Sequence, residues 1–168
     1  DGLGGSFTLN GTGKSQVNKR TAPLINWYDY TYWSSPVVDA EVSNALFQSN
    51  PNNRFWYNAS NYLDSNGDDI DDNNNDWILV DTSNLTYNTM TPGRGYAATH
   101  NTIGFVNGNT GYIYNFEGAL QTGNVSYLID FNAANSDHWN LVGNPYPSAI
   151  NVDDLFTMNT SIKNVVYL

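Results

Sequence analysis

The sequence predicts a mainly β protein, an antiparallel β-sandwich of jelly-roll-like or immunoglobulin-like form with at most two short helices. Aromatic residues make up 14% of the chain, with 12 Tyr, 7 Phe and 5 Trp, and aromatic side chains favour strands. Asn, Gly, Thr and Ser are common in every segment, and they favour turns over helix interiors. Turn residues separate the apolar runs at intervals of about ten residues, a spacing typical of strands in a sandwich.

Strands are predicted wherever a short alternating or apolar run is bounded by turn residues. Pro92-Gly93 begins a turn that leads into one strand, and Asn107-Gly108-Asn109 is a hairpin connection between two others. The apolar run 77–80 predicts a buried strand. Short helices are predicted at 42–47 and 152–158. The predicted strands lie in 6–10, 26–38, 54–58, 77–80, 91–98, 102–106, 112–116, 125–131 and 139–142.

The segment 26–38 carries the strongest strand signal, because aromatic residues recur at alternate positions before Pro36. Successive side chains of a strand point to opposite faces of the sheet. One face is therefore predicted to carry Tyr28, Tyr30 and Tyr32, and the other Trp27, Asp29, Thr31 and Trp33.

The length of 168 residues suits one domain that buries its own core. Residues 1–20 are rich in Gly and predict an N-terminal strand or linker, whereas residues 21–168 predict a single β domain. The chain ends on Val-Val-Tyr-Leu without a turn, so we expect the natural sequence to continue beyond Leu168.

The formal net charge is −10, from 16 acidic and 6 basic residues. The sequence contains no basic cluster that would neutralise phosphates, so we expect no nucleic acid partner. No apolar run approaches the roughly 20 residues of a membrane helix, and we expect no membrane insertion. Cys is absent, which excludes thiol catalysis and disulfides. The absence of Cys does not locate the protein. If the chain is an extracellular module, that absence would point towards bacteria, where calcium can take over the stabilising role of disulfides.

The acidic residues are concentrated in one stretch. Seven of the 16 lie between Asp64 and Asp81, with no Lys or Arg nearby in the sequence. Calcium binds six to eight oxygens, and a loop with Asp or Asn at alternate positions folds these oxygens around one ion. Asp64, Asn66 and Asp68 occupy positions one, three and five of such a loop, as in EF-hand and dockerin-like sites. Ile70 would contribute its backbone carbonyl from position seven.

The stretch departs from the EF-hand loop at two positions. Position six is Asp69 where the EF-hand has Gly, and position twelve is Asn75 where it has a bidentate Glu. The closing ligand is therefore expected from Asp71, Asp72, Asp76 or elsewhere. The alternative is a solvated acidic loop that attracts ions diffusely. The predicted calcium ligands are Asp64, Asn66, Asp68, Ile70, Asp71, Asp72 and Asp76.

A second set of candidate residues is aromatic. Exposed rings stack on sugar rings, and neighbouring Asn, Asp and Gln side chains bind the sugar hydroxyls. The alternative is that alternate aromatics fill the core of the sandwich, which we expect for any single Trp. The two hypotheses differ in whether the rings are exposed or buried. The candidate sugar-binding residues are Trp27, Tyr28, Tyr30, Tyr32, Trp56 and Tyr62, with Phe55 and Tyr57 on either side of Trp56.

Four blocks of sequence carry a resemblance. They are Tyr-Thr-Tyr-Trp-Ser-Ser-Pro-Val at 30–37, Arg-Phe-Trp at 54–56, Met-Thr-Pro-Gly-Arg-Gly-Tyr at 90–96, and Trp-Asn-Leu-Val-Gly-Asn-Pro-Tyr-Pro-Ser-Ala-Ile at 139–150. In their order and spacing, the chain resembles domains of large secreted and surface proteins of Bacteroidetes, particularly flavobacteria. Such domains are often found upstream of a type IX secretion sorting domain.

The resemblance implies an exported, modular, adhesive or accessory protein, and it brings no catalytic residues. His100 and His138 lie apart, and no Gly-x-Ser-x-Gly motif accompanies them, so we expect no enzyme. The expected function is a non-catalytic, calcium-stabilised structural or adhesive module of a secreted or cell-surface bacterial protein, whose partner is a polysaccharide or another surface protein. The alternative is a carbohydrate-binding module of a secreted polysaccharide-degrading enzyme. A glycosidase with paired carboxylates is the third possibility.

Overall fold

The structure is a computed structural model, and it describes residues 13–130, 139–163 and 165–166. The strand predicted at 6–10 and His138 lie outside these ranges. The elements in chain order are β1 (Ser15–Arg20), β2 (Tyr30–Trp33), α1 (Val42–Ala45), β3 (Ser49–Tyr57), β4 (Trp77–Leu79), α2 (Leu85–Asn88), β5 (Tyr96–His100), β6 (Ile113–Gly118) and α3 (Val152–Met158).

The strands form two antiparallel sheets, which confirms the prediction of a mainly β fold. One sheet pairs β1 with β6, and the other has the order β2-β5-β3-β4. The two sheets pack face to face in a sandwich-like arrangement. Trp33 of β2 lies between them, with its ring centroid 4.4 Å from that of Tyr114 and 6.2 Å from that of Phe116, both on β6. These three residues belong to the buried core.

The ranges described contain three short helices, one more than the sequence predicted. The additional helix is α2, a single turn whose N-cap is Asn84. Its side-chain oxygen accepts a hydrogen bond from the backbone N–H of Thr86 at 3.0 Å. A four-residue helix is too short to show a 3.6-residue period, which is why the sequence pattern missed it. No helix in this part of the chain is both long and apolar enough to cross a membrane.

The hairpin predicted across 102–116 is wrong. Residues 102–106 form turns, and β6 pairs with β1 instead. The side chain of Asn109 explains the difference, because it accepts from the backbone N–H of Leu24 at 3.0 Å and donates to the carbonyl of Leu24 at 2.8 Å. These two bonds tie the loop to the segment after β1 and leave β6 free to pair with β1.

The segments 125–131 and 139–142 were also predicted as strands. Within the described residues they contain no strand, and Val142 makes only an isolated bridge to Arg94. The block 139–150 instead docks onto the turn before β5. The N–H of Gly143 donates to the carbonyl of Gly93 at 3.0 Å, and the hydroxyl of Ser34 donates to the carbonyl of Asn144 at 2.5 Å. Sequence blocks that are distant in the chain therefore meet at one junction.

Gly143 lies where a side chain would not fit. A Cβ at this position would overlap the side chain of Ser34, which is itself buried. The close approach of the two backbones requires glycine at this position.

Candidate functional site

The acidic stretch forms the long loop that joins β3 to β4, two neighbouring antiparallel strands. The N–H of Asn58 donates to the carbonyl of Asp76 at 2.7 Å and closes the base of the loop. Further along, the N–H of Asp72 donates to the carbonyl of Leu63 at 2.7 Å. The sheet therefore holds both ends of the loop, while its tip at 65–70 is exposed.

Asp64 organises the tip of the loop. One oxygen of its carboxylate accepts from the N–H groups of Gly67 at 2.7 Å and Asp68 at 3.2 Å, and the other accepts from Asp69 at 3.0 Å. Desolvation opposes ionisation of Asp64, but backbone hydrogen bonds from these residues and from Asn66 together outweigh it and lower its pKa. Asp64 is therefore held in its ionised form.

The next two predicted ligands repeat this pattern. The side-chain oxygen of Asn66 accepts from the N–H of Asp68 at 3.0 Å, and Asp68 accepts from the N–H of Ile70 at 3.0 Å. Between Asp68 and Ile70, Asp69 adopts a φ of 62°, the left-handed conformation that favours glycine. Asp69 occupies position six, where the EF-hand uses Gly to make a sharp turn. The departure at this position therefore leaves the left-handed turn in place.

Asp72 lies beside this group. The side-chain amide nitrogen of Asn66 donates to Asp68 at 3.2 Å and to Asp72 at 3.1 Å. The second oxygen of Asp72 accepts from the N–H of Ser65 at 2.6 Å. One amide group thus holds two carboxylates, and Asp72 is the predicted closing residue that the structure brings next to the first three ligands.

Asp71 and Asp76 form a second group near the base of the loop. Asp71 accepts from the N–H groups of Leu63 at 2.8 Å and Asn75 at 3.1 Å. Asp76 is only 9% exposed and accepts from the N–H of Trp77 at 2.8 Å. Desolvation, and then the nearby charge of Asp71, raise the pKa of Asp76. The structure therefore divides the predicted ligand set into two groups.

The two groups do not form a closed metal cage in this conformation. Across 13–130, 139–163 and 165–166, no three or more His, Asp or Glu side chains converge as a metal site. The carboxylates of the loop bind backbone N–H groups instead. The side chains of Asp64, Asn66, Asp68 and Asp72 each present oxygen atoms to a metal ion, and oxygen is the ligand type that calcium prefers.

The aromatic candidates are also divided by the structure. Tyr30 and Tyr32 of β2 are 48% and 65% exposed on the outer face of the four-stranded sheet, whereas Trp33 points into the core. This alternation agrees with the predicted period of two. Tyr28 lies before the strand, which begins only at Tyr30, because the carboxylate of Asp29 accepts from backbone N–H groups upstream and forms a turn.

Three other aromatic candidates lie away from the outer face. Trp56 packs on the core side of the sheet, where the guanidinium of Arg94 lies 4.1 Å from its ring centroid. Trp27 contacts Tyr28 edge to face at 5.4 Å in the segment before β2. Tyr62 belongs to the β3–β4 loop and is half-buried.

Two further residues of the outer face, Phe55 and Tyr57, were predicted beside Trp56, and two more, Trp77 and Leu79, were not. Phe55 and Tyr57 lie on β3, and Trp77 and Leu79 lie on β4. The run 77–80 was predicted as a buried strand, but β4 is an edge strand with Trp77 and Leu79 exposed. Alternation within 77–79 carries the signal that would have found Trp77 and Leu79. We define the outer aromatic face as Tyr30, Tyr32, Phe55, Tyr57, Trp77 and Leu79.

Comparison with known proteins places the chain in a family. The family described as "Domain of unknown function (DUF8693)" matches residues 6–168. No curated protein and no solved structure matches the chain. Because the match covers nearly the whole sequence, the chain belongs to this domain family.

Proposed function

We propose that the chain is a non-catalytic structural or adhesive module of a secreted or cell-surface bacterial protein, and that calcium bound by the loop 64–76 stabilises it. The observation that carries the proposal is the arrangement of Asp64, Asn66, Asp68 and Asp72 at the tip of the loop. The exported location rests on the resemblance of the four sequence blocks to bacterial surface proteins.

The tip has the backbone turn and the oxygen donors of a calcium loop. The left-handed turn at Asp69 and the successive hydrogen bonds to Asp64, Asn66 and Asp68 bend the chain around its own carboxylates. Closing the site requires small side-chain rotations that exchange N–H partners for the ion. Asp72 is the closing ligand in this proposal, because it already shares the amide of Asn66 with Asp68.

The charge of the loop supplies the driving force. No Lys or Arg occurs between Arg54 and Arg94, whereas seven acidic residues lie in 64–81. Backbone N–H groups donate to the carboxylates of Asp64, Asp68, Asp71 and Asp72, but they do not cancel the repulsion between these charges. A divalent cation would relieve that repulsion and order a loop too polar to pack by itself.

Calorimetry and thermal unfolding test the proposal together. Titration of calcium into the chelator-treated protein is expected to release or absorb heat with a Kd below millimolar, and calcium is expected to raise the Tm. Asp68→Asn removes one ligand charge and should weaken binding. Asp154→Asn is the matched control, because it removes the same charge from α3, outside the loop. The proposal fails if no binding occurs below millimolar calcium and a chelator leaves the Tm unchanged.

A further inference from the structure

The outer aromatic face is a continuous surface rather than a set of scattered rings. Tyr32, Ala97, Phe55 and Leu79 are opposed in register across β2, β5, β3 and β4, so their side chains form one row across the sheet. Tyr57 and Trp77 form the next row beside Phe55 and Leu79, with ring centroids 5.3 Å apart. Successive rings on one strand lie about 7 Å apart, as two residues of a strand require.

The residues at the centre of the face are buried. Ala97 and Thr99 of β5 are only 2% and 1% exposed, because larger side chains on both sides cover them. The ring centroids of Tyr30 and Phe55 approach to 6.4 Å across this strand. The face therefore offers ring surfaces instead of a pocket, and a contiguous apolar patch of this kind marks an interaction site.

The chemistry of the face limits its partner. None of its six defining residues is charged, and its polar groups are tyrosine hydroxyls together with Asn53, whose amide donates to Thr99 at 3.1 Å. Asp76 and Asp71 border one end, where their charges reach Tyr57. The chain carries a net charge of −10. An anionic polymer would be repelled, and so would a second copy of the chain.

We propose that the outer aromatic face binds a neutral polysaccharide chain. The CH faces of sugar rings stack on aromatic rings, and sugar hydroxyls bind hydroxyl and amide groups such as those of Tyr and Asn. The outer aromatic face is uncharged and rich in tyrosine, so it offers an extended neutral glycan both stacking surfaces and hydrogen-bonding groups. The proposal is independent of calcium, because the pairing of β2, β5 and β3 positions most of the outer aromatic face without the loop.

Affinity electrophoresis of the full chain tests this proposal. Native gels would contain a neutral polysaccharide (xylan, galactomannan or mixed-linkage β-glucan) or an anionic one (alginate or polygalacturonate), each run with a chelator and, for the neutral gels, also with calcium. Tyr32→Ala and Trp77→Ala remove exposed rings at opposite edges of the outer aromatic face. Tyr87→Ala is the matched control, because Tyr87 is 61% exposed on α2, outside the sheet.

We expect at least one neutral polysaccharide to retard the protein with and without calcium. Tyr32→Ala and Trp77→Ala should each lower the affinity for that polysaccharide about tenfold, the loss expected for one stacked ring, while Tyr87→Ala binds like the wild type. Retardation only by the anionic polymers, or by none, overturns the proposal. Equal binding by all variants overturns it too. So does sedimentation velocity, if it shows a dimer that Tyr32→Ala and Trp77→Ala dissociate. Because binding is measured in chelator, its outcome is separate from that of the calcium titration.

Discussion

The interior of the sandwich and the β3–β4 loop handle charge in opposite ways. The interior holds cations. Arg54 is 4% exposed, and its guanidinium donates to the hydroxyl of Ser49 at 2.6 Å and to the carbonyls of Leu46 at 2.9 Å and Ser49 at 3.1 Å. Lys19 donates to the carbonyl of Ser34 at 2.9 Å. The loop holds anions, and backbone N–H groups are their hydrogen-bond donors.

The difference lies in crowding. Burial lowers the pKa of Arg54 and of Lys19. Each of these cations is a separate charge, and fixed backbone carbonyls accept its hydrogen bonds. In the loop, Asp68 and Asp72 share one amide nitrogen, and Asp71 raises the pKa of Asp76. Dipoles suffice for an isolated charge, but they leave the repulsion between several like charges in one loop uncompensated. The comparison predicts that the interior is indifferent to calcium and the loop is not.

Removing a core cation should have the largest effect. Arg54→Met is expected to lower the free energy of unfolding by about 3 kcal/mol or more, because it removes three hydrogen bonds donated by a buried cation, one to the carbonyl of Leu46 and two to Ser49. The side chain of Arg54 also reaches back to Ser49 across the register shift that lies between these two residues of β3. Urea unfolding with and without calcium would measure the loss.

The matched control for this change is Arg20→Met. Arg20 is exposed on β1 and bonds the hydroxyl of Thr110, so its replacement should cost within about 0.5 kcal/mol. If both variants lose the same stability, Arg54 is not the structural cation that its contacts indicate.

Calcium should have the next largest effect. At a hundred times its Kd, calcium is expected to raise the free energy of unfolding by about 2.7 kcal/mol. Asp72→Asn should remove most of this gain, because Asp72 belongs to the group at the tip, whereas Asp76→Asn should leave it nearly intact. Chemical unfolding at fixed free calcium would separate the two. A gain that Asp76→Asn removes and Asp72→Asn retains would place the ion at the base of the loop instead.

The parts of the molecule that the sequence predicted well are those that depend on local alternation. The face of Tyr30 and Tyr32 and the burial of Trp33 follow from the period of two, and the mainly β class follows from composition. The grouping of Asp64, Asn66 and Asp68 was predicted from spacing alone, and the structure brings their hydrogen bonds together at one turn. Their role as calcium ligands stays a prediction.

What the sequence did not predict depends on contacts between distant segments. The pairing of β1 with β6 was missed, since nothing local indicates which strand Val17 and its neighbours join. Trp56 was grouped with the exposed rings, although Arg94 covers it from 38 positions further along the chain. The exposure of Trp77 was missed because an apolar run does not reveal that its strand lies at a sheet edge.

A smaller effect should follow from Asp76→Asn without calcium. Desolvation raises the pKa of Asp76 above its ordinary value of 3.8, so the carboxyl favours folding while protonated and loses that contribution as the pH rises through its folded pKa. Asn keeps the oxygen that accepts from Trp77 and carries no charge. We expect the variant to raise the Tm at pH 7 by about 2 °C and to have no such advantage below pH 3.8. A lower Tm at pH 7 would show that the charge of Asp76 is stabilising.

The smallest effect concerns Tyr57, which ends β3 on the outer aromatic face and precedes the loop. Desolvation, and then the charges of Asp76, Tyr62 and Asp71, raise the pKa of Tyr57 from 10.0 to about 12. Its contribution to stability is therefore complete below pH 10.0 and is lost as the pH rises through about 12. Asp76→Asn should lower this pKa but leave it above 10.0, because desolvation is the largest cause. Ultraviolet titration of tyrosinate, with Tyr57→Phe to assign the signal, would measure the shift. An unchanged pKa would mean that the acidic charges at the base of the loop do not reach the outer aromatic face.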